Sequence, residues 1–114
     1  MKKKHLEVLI KVFQNTKLNL EQSRMRDTFL KSLYEAHKTY TDERIKILEH
    51  LGTKNDDGSY DFEADKKEEA LKEIGILVEE SVDIHFDKKI KPLAELTTYT
   101  PEYGEAELFY EAMS

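Results

Sequence analysis

The loop Thr53–Ala64 is the segment of this 114-residue chain whose residue types come nearest to metal chemistry. With Gly58 set as the sixth position of an EF-hand loop, Asn55, Asp57 and Asp61 fall on ligand positions three, five and nine. Position one is then Thr53 and position twelve Ala64, so the leading acid and the closing bidentate Glu are both missing. The spacing reads as an acidic turn. His5, His37, His50 and His85 match no metal-ligand spacing, and His37 sits beside an apolar stripe as an ordinary helix residue does. The chain has no cysteine, which excludes disulfides, thiolate metal sites and cysteine nucleophiles. Gly52, Gly58, Gly75 and Gly104 are isolated, so there is no phosphate-cradling loop, and no serine stands in a nucleophile elbow. Glu68/Glu69 and Glu79/Glu80 are adjacent acids, and adjacent helix residues face apart rather than toward a shared substrate. The expectation is a protein that is not an enzyme, with no cofactor, no metal and no evident small-molecule substrate.

Charge offers a different kind of chemistry. Residues 1–51 carry 11 Lys/Arg and 7 Asp/Glu, a net of +4; residues 52–114 carry 7 and 17, a net of −10, which together give the −6 of the whole chain. Lys2, Lys3, Lys4, Arg24, Arg26, Lys31 and Lys38 form a weak basic stripe, but Glu21, Asp27 and Glu35 interleave with it. Direct nucleic-acid binding is therefore not expected. The acidic half could imitate a phosphate backbone and block a nucleic-acid enzyme, or it could be neutralised by the basic half within the fold. Internal pairing is the simpler expectation.

These residues must be positioned by helices. Leu6–Phe13 is short enough to fit either a strand or a helix period, and the flanking lysines favour helix. Asn19 followed by Gln22 makes a capping box. From there Met25, Phe29, Leu33, Ala36, Tyr40, Ile47 and Leu51 repeat on one stripe until Gly52 supplies a stop. A helix over residues 19–51 runs roughly 50 Å at 1.5 Å per residue. A domain of this size has a radius of gyration near 13 Å, about a quarter of that length. So the helix either bends near Thr39–Asp42 or packs against another chain. Asp57-Gly58 marks a turn, and a second helix is expected over 63–81 with Ala70, Leu71, Ile74, Leu77 and Val78 buried and Gly75 allowing close packing. Val82, Ile84 and Phe86 alternate like a half-buried strand that Lys91-Pro92 ends. Thr100-Pro101-Glu102 reads as the start of a last helix whose apolar face is Tyr103, Ala106, Phe109, Tyr110 and Met113.

The order of elements carries a family resemblance. A short apolar start and a long charged helix ending at Leu51-Gly52 precede an Asp-Asp-Gly turn. A Lys/Glu-rich helix then leads into Glu79-Glu80-Ser81-Val82-Asp83-Ile84, Ile90-Lys91-Pro92-Leu93 and a Thr-Pro-Glu helix start. In that layout the chain resembles a family of small, uncharacterised tailed-bacteriophage proteins of Gram-positive hosts. The resemblance implies a non-catalytic phage protein in the host cytoplasm, and it carries over no functional residues.

The expected architecture is mainly α: one helical domain over residues 1–114. Its long helix pairs antiparallel with a second helix, a C-terminal helix caps their open side, and at most one small strand pair forms. No apolar run is long enough to span a membrane and the basic start Met1–His5 lacks the pattern of a secretion signal; with no cysteine for disulfides, the expected location is cytoplasmic, the host cytoplasm if the resemblance holds. The expected function is interaction or assembly, with another protein or the chain itself as partner, the latter as a homodimer. Leu33, Tyr40, Ile47 and Leu51 of the long helix are the expected contacts. Tyr103, Phe109 and Tyr110 are either core closure or a second docking face. The alternative is an acidic inhibitor of a host nucleic-acid-binding enzyme.

Overall fold

A computed structural model describes residues 1–84 and 88–114. The chain opens with a 3-10 turn, Lys3–His5, that runs directly into α1 (Leu6–Gln14). The helix reading of this ambiguous segment holds, and its consequence is large. Leu6, Leu9, Val12 and Phe13 have no exposed surface, which makes α1 the centre of the core. A helix apolar on nearly every side must be surrounded.

Helix α2 (Leu20–Leu51) begins where the capping box predicts. The Asn19 side chain accepts from the Gln22 N–H at 2.9 Å, and the Gln22 side chain accepts from the Asn19 N–H at 3.1 Å. It runs unbroken through Thr39–Asp42, and Thr39 merely returns its hydroxyl to the Glu35 carbonyl. Its length sets the shape of the molecule, which measures 51 × 27 × 25 Å. Beyond Gly52, strands β1 (Thr53–Lys54) and β2 (Tyr60–Asp61) pair antiparallel around a turn at Gly58, whose φ of 88° is open to glycine and strained for other residues. Helix α3 (Ala64–Glu79) then runs back along the second half of α2.

The core lies at the other end. Phe29, Leu30 and Leu33 of α2 close over α1, with Phe13 and Phe29 edge-to-face at 5.1 Å between ring centres. Ile90 completes it together with Leu93 and Ala94 of the 3-10 helix that follows, Lys91–Leu96. That helix is pinned to the end of α1, where Thr97 Oγ1 donates to the Val12 carbonyl at 2.8 Å and the Thr98 N–H to the Asn15 carbonyl at 2.6 Å.

Several expectations change here. Lys91-Pro92 starts a helix instead of ending a strand, because proline fits the first turn, where its missing N–H is not needed. Ser81, Val82 and Ile84 form no strand; Ser81 makes a lone bridge to Lys2 and the Val82 N–H reaches the Met1 carbonyl. His85, Phe86 and Asp87 lie outside the described residues. Gly75 meets nothing within 4 Å of an added Cβ, so it does not serve close packing, and Leu71 is 63% exposed rather than buried. Helix α4 (Tyr103–Met113) is capped by Glu102, two residues later than the Thr100 signal, and it packs on α1 and the N-terminal turn rather than over α2 and α3.

Candidate functional site

The basic N-terminus and the acidic C-terminal half meet inside one subunit. Lys2 and Lys4 both reach Glu79, at 2.6 and 2.8 Å. Lys3 reaches Glu80 at 2.6 Å and Glu43 at 3.1 Å. Two ammonium donors hold the Glu79 carboxyl at about 2, well below the usual carboxylate range, with the Lys2 bond the larger cause. The bond from Lys3 to Glu80 outweighs desolvation and raises the lysine. His5 is nearly buried; its Nδ1 accepts from the Lys2 N–H, which leaves the proton on Nε2 to donate to Glu111 at 3.0 Å.

A second cluster fastens α4. Glu105 accepts from the Tyr99 hydroxyl and from Lys11 Nζ, the latter at 2.9 Å. These bonds, the tyrosine's first, lower the Glu105 carboxyl to about 2 and push both Lys11 and Tyr99 upward. The polar ties also decide which side of α4 turns inward. Glu105 occupies the inner face, and Leu108, Phe109, Ala112 and Met113 pack on the core beside it. Tyr103 and Tyr110 are on the far side, 89% and 70% exposed, so the predicted aromatic face divides between core and solvent.

The acidic turn Thr53–Ala64 takes up its own best ligand. Asp57 accepts from the Ser59 N–H and hydroxyl at 3.0 and 2.6 Å, which lowers its carboxyl and leaves it as a turn-forming side chain. Among the described residues no group of three or more His, Asp and Glu is placed to hold a metal ion, and no helix is long and apolar enough to cross a membrane.

The four α2 residues singled out by sequence part company. Leu33 is fully buried in the subunit's own core and is not available at the surface. Tyr40 packs at the edge of that core, half-buried. Ile47 and Leu51 do come together, in a groove between α2 and α3. One stretch of about 550 Å³ is lined by Lys46, Ile47, His50 and Leu51 on one wall and Glu69 and Glu73 on the other. It continues toward Ile76 and Leu77 past the same Ile47. His50 opposite Glu69 and Glu43 opposite Glu80 confirm that the two helices run antiparallel.

Sequence reasoning missed Ile76, which is 54% exposed, because it falls off the apolar stripe of α3. Ile45, 39% exposed, was missed on α2 for the same reason. An apolar residue outside the main stripe was the available signal. No protein-family model, no curated protein and no solved structure matches the chain.

Proposed function

We propose that this is a non-enzymatic assembly protein that self-associates, as a homodimer, through the far half of α2 together with α3. One observation supports the reading above the others: no residue of α2 beyond Leu33 is fully buried, while Ile45, Leu71 and Ile76 stay exposed around it. Two antiparallel helices make a single layer, and an amphipathic layer becomes stable by packing against a second. At the core end that second layer comes from α1 and the Lys91–Leu96 helix; at the far end the described residues place beside α2 just α3 and the short β1–β2 hairpin. A second copy would supply the rest, giving a four-helix arrangement with closed twofold symmetry.

The element order quoted above supports a phage-type protein working in a host cytoplasm, with the chain's own copy as its partner. The acidic-inhibitor alternative needs carboxylates free and aligned on one face. Glu79, Glu80, Glu105 and Glu111 are instead engaged by Lys2–Lys4, His5 and Lys11, so that alternative gains no support.

Light scattering coupled to size-exclusion chromatography tests the reading. The expected result is a mass of twice 13.4 kDa that falls toward the single-chain value on dilution. A strict monomer up to several hundred micromolar would remove the proposal.

A further inference from the structure

The groove between α2 and α3 carries opposite charges on its two walls, and this layout specifies a partner. Lys46 and His50 are on the α2 wall and Glu69 and Glu73 on the α3 wall, with Ile47 and Leu51 between them. All four charged or titratable side chains are exposed, and neither Lys46 nor Glu73 has an ion-pair partner among the described residues. Both sit at the same height along the helices, because they line the same stretch of groove.

We infer that this groove is where a second copy of the chain docks, with the twofold axis running along the helices. The inference rests on the self-association proposed above and adds the face and register to it. A twofold axis in that direction lays α2 of one copy over α3 of the other while preserving height. Lys46 then faces the partner subunit's Glu73, and Glu73 faces the partner subunit's Lys46. The two contacts arise together, as isologous symmetry demands. An axis across the helices would lay α2 on α2 with height reversed, and centred on this stretch it would bring Lys46 toward its own symmetry mate, placing like charges together. Like-charge contact is costly and selects against that register. Beside the charged pairs, Ile76 of each copy would cover Ile47 of the other, removing an exposed apolar side chain of this flank from water.

Charge reversal in single variants tests the arrangement without touching the core, since Lys46 and Glu73 are both exposed. Lys46→Glu and Glu73→Lys should each fold with an unchanged helix signal and each weaken homodimerisation about tenfold or more, because each places two like-charged pairs in one interface. Mixing the two variants in equal amounts should restore association as a heterodimer, in which both pairs are again of opposite sign. No contact within a single subunit produces that rescue. If the wild-type chain is a monomer, the self-association reading and this inference fall together. If the wild type dimerises and both variants dimerise as well, the inference falls alone. A dimer that resists these reversals and is broken by Leu71→Glu would place the interface on the opposite flank of α3 and overturn it in the same way.

Discussion

Single glycines show how differently one residue type is used along this chain. Gly58 holds a positive φ that a side chain tolerates poorly. A Cβ at Gly52 would meet the Phe62 ring at 2.6 Å, so glycine there lets the hairpin fold back against the end of α2. Gly75 has neither reason. It lies exposed within α3, with open space where a Cβ would be, and it leaves the helix backbone with excess freedom to lose on folding. Gly75→Ala should therefore stabilise the protein by about 1 kcal/mol, raising Tm by about 4 °C in a thermal melt. A melt that falls instead would reveal a contact on this face of α3 in the assembled protein. The Asp57-Gly58 turn was legible because its cause is local, whereas the Phe62 contact at Gly52 and the open space at Gly75 depend on what lies across from the glycine and not on its neighbours in the chain.

Elements with strong local signals were legible, and elements defined by distant partners were not. Asn19 with Gln22 and the stop at Gly52 fixed both ends of α2 because capping is a matter of residues within one turn. The central place of α1 was invisible, since a nine-residue apolar helix looks the same on a surface groove as at the middle of a core. The rotation of α4 was equally hidden. It is set by Glu105 reaching Lys11 and by Glu111 reaching His5, pairings across most of the chain's length. Helix α4 has no fully buried residue, so polar ties matter to it more than to any other helix. Deleting residues 100–114 should still lower stability by roughly 2–4 kcal/mol, because Phe109 and Met113 leave the core, and urea unfolding would read this directly. Its attachment should also depend on pH. Glu105 is held at about 2 in the fold, against an ordinary value near 4.5, and the bond from His5 lowers Glu111 in the same direction. A lowered folded-state value means that the unfolded chain takes up protons first. The contribution is thus complete above about pH 4.5 and is lost as pH falls from there toward 2. Thermal melts between pH 5 and pH 2 should show Tm declining, with a shallower decline in Glu105→Gln. Equal slopes in the two proteins would show that the Glu105 cluster does not hold α4.

At the scale of the whole molecule, the radius of gyration of 16.5 Å exceeds the roughly 13 Å of a compact chain of this length, and the excess has a definite location. Large apolar side chains concentrate at one end, where Leu6, Leu9, Val12, Phe13 and Leu33 are sealed from solvent. The other end is a two-helix hairpin with only Ala70 and Leu77 fully buried. Local opening costs least where few apolar contacts break, so a single helix can span two levels of stability. Helix α2 should do so. In hydrogen exchange on dilute, monomeric protein, amides near Phe29–Leu33 should exchange only through global unfolding. Those near Ile45–Leu51 and in the first turns of α3 should exchange by a separate, cheaper opening. Raising the concentration should then slow the second group alone, because a docked copy would add the missing layer to that end. Uniform protection along α2 in the monomer would mean that α3 by itself is a sufficient partner, and the overhang would no longer call for a second chain.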